Sequence, residues 1–255
     1  MITTIVQTTI DWHQPHSNRM RIQQLLSKYL LDTDLIVLPE MFTTGFSMEP
    51  QKIAEKNNGQ TVQWMTSLAE KYRAVVCGSL VILSDGNYYN RFVWVTSDGA
   101  EHYYDKRHTF SLAGEHLKYT SGKNSGIWNY GDWKICARIC YDLRFPVWCR
   151  NSSDYDLIIF VANWPLARTD AWRSLLKSRA IENMSYCIGV NRIGKDANGL
   201  TYLGHSGIYD HIGKRLTPKM ANNESVVTVE LDKDELNLAR NRLGFLKDRD
   251  RFVLH

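Results

Sequence analysis

The sequence predicts an α/β (α+β) fold in which two sheets pack together with helices on their outer sides. A strand–helix–strand–helix series opens the chain, short apolar runs recur almost to its end, and few segments carry helical spacing. Ile2 to Thr9 is β-branched and Thr-rich and reads as a strand, whereas the segment after Pro15 sets Met20, Ile22, Leu25, Leu26, Tyr29 and Leu30 at helical intervals. Leu35-Ile36-Val37-Leu38 is a continuous apolar run stopped by Pro39, the pattern of a strand buried on both faces, and Gln60 to Lys71 is helical again. Further strands are predicted at Ala74 to Leu80, Tyr89 to Val95, Trp133 to Ile139, Leu157 to Val161, Tyr186 to Asn191 and Ser225 to Leu231. Asp85-Gly86-Asn87 and Ser97-Asp98-Gly99 are turn signals that separate neighbouring strands as hairpins do. Thr169 or Asp170 is placed to cap a helix whose Trp172, Leu175, Leu176 and Ala180 form one stripe, ending near Met184. Periodicity does not fix the order of the strands.

The chain has 255 residues with no change of composition that would mark a linker, no internal repeat and no low-complexity tract, so residues 1–255 are expected to form one domain. With 44% hydrophobic and 23% charged residues, the collagen-like and disordered classes are excluded. The net charge of +4 is spread along the sequence, and no reading motif accompanies it, so no nucleic-acid partner is expected. Five cysteines at irregular positions (77, 136, 140, 149 and 187), behind an N-terminus without a secretory pattern, point to a reduced compartment. No stretch approaches the ~20 apolar residues of a membrane span. A cytoplasmic protein without a membrane partner is the expectation.

Four residues stand where chemistry is possible. Cys140 follows the apolar run Trp133 to Ile139, so its sulfur is expected at the exposed end of a strand, where the amides of the following turn favour a thiolate. Glu40 directly follows Leu35-Ile36-Val37-Leu38-Pro39, the mouth of a buried strand, where partial burial can tune a carboxylate for proton transfer. Lys106 lies in Tyr103-Tyr104-Asp105-Lys106-Arg107-His108 and offers an ammonium for an oxyanion, and Glu115 in Gly114-Glu115-His116 offers a second carboxylate to orient it. Taken singly, each reads more simply as structure: a buried thiol, a turn carboxylate, a solvated charge cluster. No Gly-x-Ser-x-Gly elbow, dinucleotide fingerprint or phosphate-binding Gly-rich loop occurs. A metal centre is not expected either, because Cys136 and Cys140 are four apart and would have only scattered histidines for company.

In order, Leu38-Pro39-Glu40-Met41-Phe42, Tyr104-Asp105-Lys106-Arg107-His108, Gly114-Glu115-His116 and Cys140-Tyr141-Asp142-Leu143-Arg144-Phe145-Pro146 resemble the nitrilase (carbon-nitrogen hydrolase) superfamily. Asn163-Trp164-Pro165 and Arg179-Ala180-Ile181-Glu182-Asn183 extend the resemblance, which is greatest to the bacterial YafV-type omega-amidase branch. Several collinear blocks outweigh the structural reading of each residue alone. The resemblance implies a four-layer α-β-β-α sandwich that dimerises through its helices, giving a homodimer or higher homo-oligomer.

It also implies roles: Cys140 as nucleophile, Glu40 as general base and then acid, Lys106 as oxyanion stabiliser, Glu115 as supporting carboxylate. The backbone N–H of Tyr141 would be the second oxyanion donor, while Asp142 and Arg144 are expected to brace the turn. No cofactor is needed, since thiol and carboxylate supply nucleophile and proton traffic. The implied partner is a small-molecule amide, a 2-oxo dicarboxylic acid monoamide such as 2-oxoglutaramate or 2-oxosuccinamate. Its distal carboxylate calls for a cation, for which Arg168 is the candidate, with Phe42, Phe110 and Trp164 as apolar walls. Alternatives are a carbamoylase or an aliphatic amide or nitrile hydrolase of the same superfamily, a catalytically silent interaction protein, and a sensor that oxidises to a Cys136–Cys140 or Cys140–Cys149 disulfide.

Overall fold

A computed structural model describes residues 1–29 and 32–254, so Leu30 of the first predicted helix and the final position of the predicted 1–255 domain lie outside the described residues. The chain runs β1 (Ile2–Gln7), α1 (Pro15–Tyr29), β2 (Leu35–Val37), α2 (Pro50–Ile53), α3 (Gln60–Tyr72), β3 (Val75–Ser84), β4 (Asn87–Val95) and β5 (Glu101–Asp105). It continues through β6 (Ile127–Tyr130), β7 (Trp133–Ile139), α4 (Pro146–Cys149), β8 (Leu157–Ala162) and α5 (Thr169–Asn183). The last elements are β9 (Tyr186–Asn191), β10 (Ile193–Lys195), β11 (Thr201–Leu203), β12 (Gly207–Tyr209), β13 (Ser225–Glu230) and α6 (Lys233–Leu243).

One sheet has the order β13-β1-β2-β3-β4-β5, the other β12-β9-β8-β7-β6, and β10-β11 is a separate hairpin. In each large sheet the three central strands are parallel, β1-β2-β3 and β7-β8-β9. Alternation builds the layers. Ile5, Val37, Val75 and Cys77 of the first sheet face Ile135, Ala137, Ile159 and Val190 of the second across a shared core. The intervening Val6, Ile36, Leu38 and Val76 turn outward onto Ile22 and Leu26 of α1 and Met65, Leu68 and Ala69 of α3. On the far side Cys136, Ile158 and Phe160 pack against Trp172, Leu176 and Ala180 of α5. Helix, sheet, sheet and helix follow one another as the resemblance implies. No helix among the described residues is long and apolar enough to cross a membrane.

The predicted hairpins form. Asp85 and Gly86 both have positive φ (50° and 76°) between paired Ser84 and Asn87, a two-residue turn matched to strand twist, and Gly99 (φ 82°) closes the next. Two details differ from expectation. The first strand stops at Gln7, because Thr8 and Thr9 turn their hydroxyls to the Glu224 carboxylate. The fifth helix begins at Thr169 after Arg168, without a side-chain cap, so neither Thr169 nor Asp170 caps it; Asp170 lies in the first turn, where its charge meets the positive helix end. β5 and β6 escape prediction because these sheet-edge strands carry polar residues and lack a buried apolar run.

Candidate active site

Residues at or just beyond the ends of several strands converge between the two sheets. Glu40 follows β2, Lys106 follows β5, Cys140 follows β7 and Asn163 follows β8, so carboxylate, ammonium, thiol and amide meet where the strands end. Two of these turns are strained: Met41, next to Glu40, and Cys140 itself both have φ of 43°, a region that β-substituted residues rarely adopt. Tertiary contacts therefore hold both turns.

Glu40 and Glu115 are fully buried and Lys106 is 1% exposed. The Lys106 Nζ donates to Glu40 Oε1 at 2.9 Å and to the Glu115 oxygens at 3.0 and 3.2 Å. Asn90 Nδ2 reaches the same two acids, at 2.8 Å to Glu40 Oε1 and 3.2 Å to Glu115 Oε1, while Ser79 Oγ donates to Asn90 Oδ1 at 2.8 Å and fixes the amide's orientation. Phe110 N–H closes the set on Glu115 Oε2 at 2.5 Å. On the other side of Glu40, the Asn163 N–H donates to Oε2 at 2.7 Å, and the Asn163 carbonyl faces Cys140 Sγ at 3.9 Å. The backbone of one residue thus touches both the acid and the sulfur.

The electrostatics follow from this packing. Burial works against the Lys106 charge, but Glu115 and Glu40 outweigh it and hold the ammonium above its ordinary pKa. Glu115 is lifted by burial and by Glu40, with Lys106 pulling it back. Burial pushes the Cys140 thiol well up, Glu40 adds to the rise, and Lys106 opposes it. Burial and Glu40 thus work against the thiolate that the turn is expected to favour, and Lys106 works for it.

Cys140 opens on a cavity of about 320 Å³. Tyr141, Phe110, Trp164 and Arg168 line it, as the sequence suggests, together with Phe46, Met48, Arg144 and, from the β10-β11 hairpin, Asp196, Asn198, Leu200 and Tyr202. Tyr141 is the second residue of the 3-10 turn Cys140–Arg144, a position whose N–H has no acceptor within its own helix.

Phe42 is not a wall of this cavity. It is fully buried on the outer side of the first sheet, beside Leu38 and Trp64 and against Gly78, where an added Cβ would come within 2.9 Å of its ring. Arg144 departs from expectation too: it lines the cavity, and its guanidinium stacks 5.0 Å from the Trp164 ring. Asp142 alone braces the turn, accepting from Tyr104 Oη (2.8 Å), Ile139 N–H (3.0 Å) and His108 N–H (3.1 Å).

Sequence reasoning missed Asn90 and Ser79. The available signal was Asn90 itself, a polar residue two positions before the apolar run Phe92–Val95 of the same strand, which has to find partners when buried.

Comparison with known proteins agrees with this geometry. The carbon-nitrogen hydrolase family matches residues 3–241. Omega-amidase YafV of Escherichia coli strain K12 is 39% identical over 98% of this chain and 97% of its own length, and the 2-oxoglutaramate amidase of Bacillus subtilis is 30% identical over 95% of each. A CN-hydrolase superfamily protein from Xanthomonas campestris, whose crystal structure carries an arsenic adduct in the active site, superposes with a TM-score of 0.96 at 40% identity, covering 100% of this chain and 99% of that one. An amidase from Nesterenkonia at 20% identity shares the fold, with a TM-score of 0.81 over 95% of this chain and 97% of its own. With the family matched over nearly the whole length and its residue blocks folded into one buried cluster, the chain belongs to the carbon-nitrogen hydrolase family.

Proposed function

We propose that the protein is an omega-amidase that hydrolyses the terminal amide of 2-oxo dicarboxylic acid monoamides, 2-oxoglutaramate and 2-oxosuccinamate, to the 2-oxo acid and ammonia. The observation that carries the proposal is the buried Lys106 ammonium between Glu40 and Glu115, close enough to Cys140 to act on its ionisation, at the end of a cavity bearing arginine. The names of two similar proteins, an omega-amidase and a 2-oxoglutaramate amidase, support the substrate class.

In this reading Glu40 takes the Cys140 proton as sulfur bonds to the amide carbon. The ammonium has three N–H groups; with one on Glu40 and one shared by the Glu115 oxygens, a third is left for the oxyanion, beside the Tyr141 N–H. Each such donor contributes about 2.7–4 kcal/mol to the barrier reduction. Glu40 then gives its proton to the departing nitrogen, the C–N bond breaks, and ammonia leaves a thioester on Cys140. Water, deprotonated by Glu40, adds to the thioester carbon; the C–S bond breaks, the proton returns to sulfur and the acid is released. Glu115 holds Lys106 in place, Phe110 and Trp164 form apolar walls, and Arg168 meets the distal carboxylate.

The proposal includes a single domain acting in the cytoplasm as a homodimer or higher homo-oligomer. Ile212 (59% exposed) and Ile181 (45%), the latter beside Gly213, offer an apolar patch for association, which sedimentation would test. The substrate reading is tested by ammonia release from 2-oxoglutaramate, an N-carbamoyl amino acid and a simple nitrile. Fast turnover of the first is expected, and fast turnover of another with little of the first would reject it. An acyl adduct detected by intact mass, and absent from Cys140→Ala, is the expected mark of an enzyme rather than a binding module.

A further inference from the structure

We infer that His13 positions the Phe46–Met48 wall of the substrate cavity by accepting a hydrogen bond from Ser47, so that protonation of its ring weakens substrate binding. The inference rests on the amidase reading of the site and not on which amide is hydrolysed.

His13 lies in the turn between β1 and α1 and does not itself line the cavity, yet it is tied to a segment that does. Its N–H donates to the Thr44 carbonyl at 3.1 Å, and its Nε2 is 2.8 Å from Ser47 Oγ. Trp12 stacks on the imidazole with ring centres 4.9 Å apart, and packs so closely on Gly45 (φ 76°) that an added Cβ there would meet it at 2.9 Å. On either side of Ser47, Phe46 and Met48 line the cavity, and the Phe46 ring lies 5.1 Å from Lys106 Nζ. Ser47 itself is fully buried, and its carbonyl accepts Tyr119 Oη at 2.6 Å. Two contacts therefore hold the wall at Ser47, Tyr119 on the backbone and His13 on the side chain.

Proton accounting fixes the direction of the His13–Ser47 bond. Ser47 Oγ already accepts the Glu49 N–H at 3.1 Å, and its own buried hydroxyl proton has no acceptor but His13 Nε2 among the described residues. Ser47 therefore donates and Nε2 accepts, which only the neutral imidazole can do. A proton added to Nε2 sets two donors against each other, and the bond is lost. Burial favours the neutral ring and lowers the His13 pKa. Of the charges that bear on the ring, Glu49 opposes this shift and Lys52 adds to it, and the two pair with each other at the start of α2. Asp11, two residues earlier, is occupied by Arg21 and Ser17. The bond is therefore intact at neutral pH and opens as the pH falls through the lowered pKa of the ring, leaving Tyr119 alone to hold Ser47.

The test follows KM and kcat of the wild type, His13→Gln, His13→Phe and Ser47→Ala on any accepted amide over about pH 5 to 8, the range in which histidine titrates. Gln sets an acceptor oxygen where Nε2 stood and does not titrate, whereas Phe keeps an aromatic ring on Trp12 and removes the acceptor. On acidification the wild-type KM is expected to rise about 3- to 10-fold, a neutral hydrogen bond's worth. His13→Gln should keep KM at its neutral-pH level throughout, and His13→Phe and Ser47→Ala should keep it near the raised level. A merely structural histidine would shift KM in the variants without removing its pH dependence. Persistence of the wild-type KM profile in His13→Gln or in Ser47→Ala overturns the inference, as does a pH effect confined to kcat. Ring-nitrogen chemical shifts of His13 at neutral pH give a readout independent of turnover: an unprotonated Nε2 is expected, and a protonated one overturns the inference. Absence of any amide hydrolysis overturns the amidase reading and the inference with it, whereas brisk hydrolysis with a flat wild-type KM overturns the inference alone.

Discussion

Asn163 and Glu40 are 123 positions apart in the chain, yet three hydrogen bonds join them: Asn163 N–H to Glu40 Oε2 at 2.7 Å, Nδ2 to the same oxygen at 3.3 Å, and Nδ2 to the Glu40 carbonyl at 2.7 Å. Because the Asn163 carbonyl also faces Cys140, this one residue ties the end of β8 to the acid after β2 and the thiol after β7. Asn163→Ala keeps the backbone contact and removes both amide contacts. A fall in kcat of about 10- to 100-fold is expected, from losing hydrogen bonds to a buried charged group. KM should change less. Steady-state kinetics on any accepted amide checks this, and a change confined to KM would contradict the positioning role.

The ionisation of Cys140 should respond to its neighbours with opposite signs. Glu40 raises the thiol pKa, so Glu40→Gln should move the thiolate titration to lower pH; Lys106 lowers it, so Lys106→Met should move it higher. Thiolate absorbance followed against pH reads both midpoints. Glu40→Gln should nevertheless be nearly inactive, since the ionised sulfur it favours has lost its proton carrier.

Lys106→Met should damage activity and stability together. Loss of one oxyanion donor corresponds to about 10²–10³ in kcat. Two buried carboxylates are also left without their cation, which costs about 3–5 kcal/mol for a broken buried pair. Adding Glu115→Gln removes one of those charges and should recover part of the stability without recovering turnover. Urea denaturation beside kinetics separates the two effects.

Phe42→Ala should destabilise the fold by about 3–5 kcal/mol through a cavity between the first sheet and α3, with the order of substrate preference unaltered. Phe110→Ala should instead raise KM, because Phe110 lines the cavity and carries Arg168 on its ring. Denaturation midpoints and substrate profiles of the pair distinguish a core residue from a wall.

Much of the fold was legible because a strand's period of two and a helix's stripe survive in the linear order. The runs at Leu35 and Leu157 announce central strands, and the stripe through Trp172, Leu176 and Ala180 announces the helix on the second sheet. The edge strands β5 and β6 were not legible, since a half-exposed strand carries no apolar run. Phe42 was misjudged for a related reason: where both faces of a sheet are covered, an apolar residue near its end reads the same whether it meets a helix or a cavity.

The sequence by itself determined the succession of strands and helices, because their periodicities are local properties of the chain, and its resemblance to a family supplied the groups that carry the chemistry and the order of the layers. Tertiary structure alone decided what those groups became. Asn90 acquires its place between two acids only when β4 pairs with β3 and the sheets close over it. Arg144 lies against Trp164 and reaches the cavity wall only when the end of another strand brings that ring to it. The Cys140 thiol is pushed upward because folding removes water from around it and brings the Glu40 charge to bear on it. Desolvation and the convergence of distant charges are properties of the packed molecule, and no local pattern encodes them.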